Sequence, residues 1–315
     1  MRHLISLKER SREELLTILE MAKKLKMMRQ GGVTISSLAQ KTLIMLFEKS
    51  STRTRLSFET AMTELGGHAT YLDARSSQLS LAEFEDEIRA IMCFGHVLMF
   101  RALKAENVLK AASFNQIPVI DGCSEKYHPA QALGDMLTMI ECAGGLQNIK
   151  RVAWLGTENN VSNTLKLLCA KLGVKIVIAS PIFDTTSVDP ELNVMASETG
   201  MVEYTPDVGD ALHGADFVHT DTWVSMEFFE NGKIKPEFVE RFESVKKILM
   251  PYQLNAHAVD AYTRGAKIMH CMPCHVGYEI TRDAIDHPNS VIFQQAKNRL
   301  HVQKAMLMWL MHEWI

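Results

Sequence analysis

The chain has 315 residues, 47% hydrophobic and 23% charged, with only 17 Gly and 9 Pro, which excludes a disordered or collagen-like polypeptide. Its 34 Lys and Arg against 37 Asp and Glu give a formal charge of -3, which argues against a general nucleic-acid binder and leaves a local cationic pocket as the place for an anion. No apolar run is long enough to cross a bilayer, no secretory leader is visible, and the length suits about two domains. Six Cys scattered through apolar segments of a chain without an export signal are expected to be free thiols, with the cytoplasm as the default location.

In chain order, Leu15, Leu16, Leu19, Ala22 and Leu25 recur at helical spacing, and Ser11 with Glu14 makes a capping box ahead of them. Residues 42–47 (TLIMLF) read as a buried strand, and 56–65 as a helix. Strand 96–100, helix 106–114, strand 117–120 and helix 130–141 follow. After Gly144-Gly145 the rhythm restarts with strand 152–155, helix 161–172 and strand 175–179. Later strands are predicted at 217–220, 267–270 and 290–293, and a last helix from 296 onward. This alternation predicts an α/β fold of two doubly wound parallel-sheet domains with the active site in the interdomain cleft. The predicted boundaries are 1–143, joined by a C-terminal helix 295–315, and 144–294.

Five segments carry chemistry. Ser51-Thr52-Arg53-Thr54-Arg55 ends a strand and opens a helix, where hydroxyls, guanidiniums and free backbone N–H groups suit an oxyanion; the bland alternative is a polar cap with solvated arginines. His128-Pro129-Ala130-Gln131 puts an imidazole and an amide on one face at a helix start, able to orient a carbonyl oxygen, although a plain helix start explains it as well. Asp221 follows a strand and can pair with an ammonium, or it is simply a loop acid. His270-Cys271-Met272-Pro273-Cys274-His275 invites a zinc or redox reading, but a second ligand pair and a thioredoxin-like context are missing. Arg299, near the start of the last helix, either completes the anion site or is a solvated helix residue. Gly156 is not followed by the glycines of a dinucleotide fingerprint, which demotes a nicotinamide dehydrogenase, and Asn159 and Asn160 beyond it can hydrogen-bond a carboxylate or amide.

Together and in this order, these segments resemble the aspartate/ornithine transcarbamoylase family over nearly the whole chain, and its ornithine branch most closely. Pro251-Tyr252-Gln253-Leu254-Asn255 and the run from Gln295 to His301 are similar to the family too. The resemblance implies carbamoyl phosphate and an amine or amino acid as substrates, with no metal or organic cofactor. Its phosphate would fall to Ser51, Thr52, Arg53 and Thr54, and its carbamoyl group to Arg101, His128, Gln131, Cys271 and the Met272 carbonyl, with Arg299 completing the set. Arg101, His128, Cys271, Arg53 and Thr54 are the implied catalytic groups. Asn160, Asp221, Ser225 and Met226 match positions that grip an amino-acid substrate. The family also implies a homotrimer with sites at subunit interfaces, and neither nucleic acid nor membrane as partner.

Several places depart from the ornithine pattern, Met272 for the commoner leucine and the unusual Cys274 and His275 being the mild ones. The segment Gln78 to Glu87 replaces a glycine-bearing loop and carries Glu83, Glu85, Asp86 and Glu87, which either cover a solvated helix face or meet a cationic substrate. Glu227 stands where a glycine is usual, and Lys297 where an acid is. These leave open another amine, such as lysine, a shorter diamino acid or a diamine, and a non-catalytic homologue that only binds carbamoyl phosphate or an amino acid.

Overall fold

The computed structural model describes residues 1–224, 228–230 and 233–313. The residues cluster into two compact units. One holds Met1–Leu137, Asn163–Leu168 and Lys297–Ile315, and the other Thr138–Ser162 and Cys169–Ala296.

In the first unit α1 (Arg12–Gln30) buries Leu15, Ile18, Leu19, Ala22 and Leu25, and the Ser11–Glu14 capping box forms in both directions. Then come β1 (Thr42–Phe47), α2 (Thr52–Glu64), β2 (His68–Asp73), α3 (Phe84–Met92), β3 (Val97–Arg101), α4 (Ala105–Ser113), β4 (Val119–Asp121) and α5 (Pro129–Ala143), the last running on into the second unit. The strands form a parallel sheet in the order β2-β1-β3-β4. Its inner strands β1 and β3 are apolar and almost wholly buried, as parallel strands covered by helices must be.

The second unit carries β5 (Arg151–Glu158), α6 (Asn160–Leu172), β6 (Lys175–Phe183), α7 (Pro190–Ser197), β7 (Val202–Tyr204), α8 (Val208–Leu212) and β8 (Phe217–Thr220). A short antiparallel pair β9 (Phe229–Glu230) and β10 (Lys233–Ile234), then α9 (Val239–Leu249), α10 (Ala256–Tyr262), β11 (Lys267–His270) and α11 (Arg282–Ile285) follow. The helix α12 (Ile292–Leu310) starts here and ends in the first unit. Its main sheet is parallel, in the order β11-β8-β5-β6-β7. Ala153, Leu155, Val218, Ile268, Leu254, Ile280 and Ile292 pack into one buried cluster beside it. Burial of each large aliphatic side chain there contributes about 1.5–3 kcal/mol.

Two parallel sheets with surrounding helices are the fold class that the alternation predicts. One predicted strand is corrected. Residues 290–293 pair with β11 only through the bridge Ser290 to Ile268, and α12 already begins at Ile292, four residues before the expected start. Four apolar-leaning residues suit a buried helix end as well as a strand. The strands β2 and β7 and the pair β9–β10 were not expected. The first two are sheet edges with exposed residues, so they show no apolar run. All six Cys are free thiols, Cys93 being exposed and the rest at least partly buried.

Candidate active site

In the first unit the strand β1 stops at Phe47 and the chain re-enters a helix at Thr52. Ser51 has an extended backbone, and its hydroxyl accepts from the Thr54 N–H at 3.4 Å, so it caps α2. No acid occupies the first turn of α2, which leaves the positive end of the helix for an anion. Thr52 is exposed on that turn, Arg53 is half-buried, and Thr54 is buried.

Arg299 comes to this turn from α12. It is 4% exposed; its Nη2 donates to Thr54 Oγ1 at 3.2 Å and its Nη1 to Gln131 Oε1 at 2.7 Å. Gln131 Nε2 donates in turn to Asp135 Oδ1 at 2.7 Å. Burial pulls the Arg299 guanidinium down to about 10, against the nearby Cys123 and Asp135, and the positive Arg53 and Arg101 act in the same direction as burial. Three guanidiniums therefore share one neighbourhood. Among the described residues neither Arg299 Nε nor Arg101 Nε has a hydrogen-bond partner, although both atoms are buried. A doubly or triply charged oxyanion is the ligand that such a cluster suits.

Arg101 ends β3 and donates from Nη1 to the Gly122 carbonyl at 3.3 Å. The turn it touches is organised by Asp121, which is fully buried at the end of β4. The Asp121 carboxyl accepts from Cys123 N at 2.8 Å, Ser124 N at 2.7 Å and Ser124 Oγ at 2.6 Å. Burial pushes it up to about 7 in spite of these bonds. The same turn leads to His128, whose backbone N–H donates to Thr164 Oγ1 at 2.9 Å just before Pro129 opens α5.

In the second unit the loops after β5, β8 and β11 converge, and these strands are neighbours in the sheet. Asp221 follows β8. Its Oδ1 accepts from the Cys271 thiol at 2.8 Å and from Thr222 N at 2.7 Å, and its Oδ2 from Asn159 Nδ2 at 2.8 Å. Asn160, half-buried, is the first residue of α6. Met272 follows Cys271 with a left-handed backbone (φ 55°), and its N–H donates to His270 Nδ1 at 2.8 Å. The other His270 nitrogen faces the buried Glu279 at 3.4 Å, and His275 Nδ1 faces it at 3.7 Å. Those imidazoles hold the Glu279 carboxyl at about 2 against the upward push of burial.

Thr54, Gln131 and Arg299 are thus in direct contact, with Arg53 and Arg101 close to them, while Asp221 and Cys271 meet in the other unit. Ser225, Met226 and Glu227 lie outside the described residues. Asp221, His270 and Cys271 each present a ligand atom within 4.8 Å of the others, three of the four that a structural zinc takes. Cys274 is not in that group; it packs against the apolar cluster, and burial pushes its thiol up. Of the altered acids, Glu85, Asp86 and Glu87 fall in the first turn of α3, where they favour the helix, and Glu85 pairs with Lys110. That supports the solvated-face reading. Sequence reasoning named Asn159 only beside Asn160, as a hydrogen-bonding asparagine, and missed Asp121 and Glu279. An Asn directly before a helix marks the cap role of the first; burial alone singles out the other two.

The carbamoyl-P binding domain model of the aspartate/ornithine carbamoyltransferases matches residues 2–141, and their Asp/Orn binding domain model matches residues 148–310. An ornithine carbamoyltransferase of Methanospirillum hungatei is 40% identical over 311 residues, covering 98% of both chains. Among solved structures, the ornithine carbamoyltransferase from Pyrococcus furiosus superposes with a TM-score of 0.90 at 38% identity, over 100% of this chain and 98% of that one. The anabolic ornithine carbamoyltransferase from Campylobacter jejuni gives 0.86 at 36% identity, over 99% of each chain. With both domain models matched in order, and sequence and fold alike from end to end, the chain belongs to the aspartate/ornithine carbamoyltransferase family.

Proposed function

We propose that this protein is a carbamoyltransferase that moves the carbamoyl group of carbamoyl phosphate to the side-chain amine of ornithine, giving citrulline and phosphate. Relatives named for that activity align with the whole chain. The observation that carries the reading to the residues is the buried Arg299, fixed on Thr54 and Gln131 with Arg53 and Arg101 beside it. A cluster of this charge is a receptor for the phosphate that is present in the substrate and leaves as product.

Ser51, Thr52, Arg53 and Thr54 would hold the phosphate with the N-terminus of α2, and Arg299 would join them. Arg101, His128 and Gln131 would hold the carbamoyl oxygen and nitrogen, with Cys271 and Met272. Asn160, Asp221, Ser225 and Met226 would bind the amino acid. A neutral amine attacks the carbonyl carbon, the oxygen takes up negative charge, and the C–O bond to phosphate breaks as the amine sheds its proton. Arg101, His128 and Thr54 would stabilise that oxygen, and Arg53 and Arg299 the departing phosphate. A free alkylamine is protonated up to about pH 10, so the rate should climb with pH above neutrality. Binding, polarisation and charge neutralisation by protein groups suffice for this chemistry without a cofactor.

The test is carbamoylated product formed from carbamoyl phosphate and a panel of ornithine, lysine, shorter diamino acids, putrescine and aspartate. Turnover is expected with ornithine, and Arg53→Ala should lower it by about a hundredfold or more. Turnover restricted to another amine would overturn the assignment of ornithine while keeping the mechanism. The assembly is read as a homotrimer working in the cytoplasm, and no described helix is long and apolar enough to cross a membrane. Light scattering should give a mass about three times the 35.5 kDa of the chain, and a monomeric mass would refute the trimer.

A further inference from the structure

We propose that Asn159 is a positioning residue for the amine substrate, holding the Asp221 carboxylate in the orientation in which it meets Cys271. The inference rests on the reading of Asp221 as a substrate-binding group. Asn159 immediately precedes Asn160 in sequence but does a different job. Its Oδ1 accepts from Val161 N at 3.0 Å and Ser162 N at 3.1 Å, which caps α6. Those two donors fix which end of the amide is oxygen. The Nδ2 end must then point outward, and it donates to Asp221 Oδ2 at 2.8 Å. The cap is further locked by Ser162, whose hydroxyl accepts from Asn159 N at 2.8 Å and donates to Asn159 O at 2.9 Å.

Asp221 is therefore gripped on both oxygens. One is held by the Asn159 amide. The other receives the Cys271 thiol and the Thr222 N–H. A carboxylate on a loop swings about two side-chain torsions, and ordering them costs free energy that the amine would otherwise supply on binding. Asn159 removes that cost beforehand by tying Asp221 to the rigid end of a helix. This is what a hydrogen-bonded neighbour does for a ligating group: the neighbour touches no substrate, yet its loss commonly costs 10–100-fold.

Two substitutions separate capping from positioning. Asn159→Ser keeps an N-cap hydroxyl and loses the amide donor. Asn159→Asp keeps the cap and the shape, but sets a carboxylate oxygen against Asp221. Steady-state kinetics would be run for both substrates, with wild type alongside. For Asn159→Ser, kcat/KM for ornithine should fall about 10- to 100-fold, with KM for carbamoyl phosphate within about twofold and Tm nearly unchanged. For Asn159→Asp the loss should be at least as large, because an oxygen that cannot donate then faces Asp221 Oδ2 in place of the amide N–H. Carboxamidomethylation of Cys271 by iodoacetamide, followed by mass spectrometry of its peptide, should change rate by about threefold or more in both variants.

Ornithine kinetics within about twofold of wild type for Asn159→Ser would overturn the proposal, and so would equal losses for both substrates accompanied by a fall in Tm. A wild-type protein that carbamoylates no ornithine would instead defeat the functional reading. The Cys271 alkylation rate would still report whether Asn159 holds Asp221, since that readout needs no substrate.

Discussion

Replacing Arg299 by methionine is expected to lower kcat/KM for carbamoyl phosphate by at least about a thousandfold, or about 4 kcal/mol of transition-state stabilisation. The side chain is buried, so its charge meets a bound anion with little competition from water. It also orients two other groups, Thr54 and Gln131, both assigned to the same substrate. Lysine in its place keeps a point charge but not the fork that reaches Thr54 and Gln131 together, so Arg299→Lys should still lose about a hundredfold. The fold should survive both changes. Deleting a desolvated cation that sits near Arg53 and Arg101 removes a burial penalty and a like-charge repulsion, and leaves two acceptors unpaired at about 1 kcal/mol each. Thermal melting beside steady-state kinetics checks this. A loss of activity that tracks a drop of many degrees in Tm would mean that Arg299 acts through packing, not through its charge.

The second large effect concerns stability and pH. Asp121 has a folded pKa of about 7, raised from 3.8 first by burial, with the hydrogen bonds from Ser124 and Cys123 pulling back only in part. The folded protein keeps this proton up to near neutrality, while the unfolded chain releases it near 3.8. The stabilisation is thus fully present below 3.8, is lost progressively as pH rises, and is gone above about 7. A rise from 3.8 to about 7 corresponds to about 4 kcal/mol between the two ends of that range. The urea midpoint of the wild type should therefore fall between pH 5 and 8. Asp121→Asn, which keeps the acceptor for the two backbone N–H groups, should flatten that fall and be the more stable protein at pH 8. A wild-type midpoint that holds steady over this range would refute the linkage. The turn in question leads to His128, so the alkaline side that frees the amine for attack is also the side on which this turn is weakest.

What the sequence reveals depends on how much of a feature is carried by local chemistry. The inner strands β1, β3 and β5 are legible because a parallel strand buried on both faces is a near-continuous apolar run. The edge strand β2, with His68 and Thr70 exposed, and β7, with Glu203 and Tyr204 exposed, have no such run, and only the neighbouring strand defines them. The candidate anion site is legible for the reverse reason, a local run of polar and charged residues. Two arginines and three hydroxyls stand together at a strand–helix junction, although Arg55 is exposed and paired with Glu59, and only Arg53 turns toward the other guanidiniums. Arg299 has no such context in its own helix, and its place in the site comes from the resemblance. Asn159 shows why adjacent residues can be confused. Asn159 and Asn160 are the same side chain on consecutive positions, and only the onset of α6 decides which one caps and which one is the first helical residue. Asp121 and Glu279 are plain acids in the sequence. Tertiary packing makes them differ: dry surroundings raise Asp121, while His270 and His275, brought against Glu279, hold it down in spite of its burial.

The order β11-β8-β5 has a bearing on how this kind of protein can be altered. The register sets His270 level with Thr220, so the next residues out, Cys271 and Asp221, stand one strand spacing apart. That spacing is about 4.8 Å in any sheet, and two side chains leaning across it meet at hydrogen-bond distance. The sheet works as a ruler whose graduations are backbone hydrogen bonds, and Asp221 and Cys271 are read off at its end. Because parallel neighbours are joined only by long crossovers, the three loops that leave those strands are separate pieces of chain. They are tied to one another only through side chains, Asn159 and Cys271 both donating to Asp221, so a loop can be redesigned for a different amine as long as those two bonds are kept. A single residue inserted within β8 would do the opposite: it would turn Asp221 to the far face and leave every loop intact with nothing to bind.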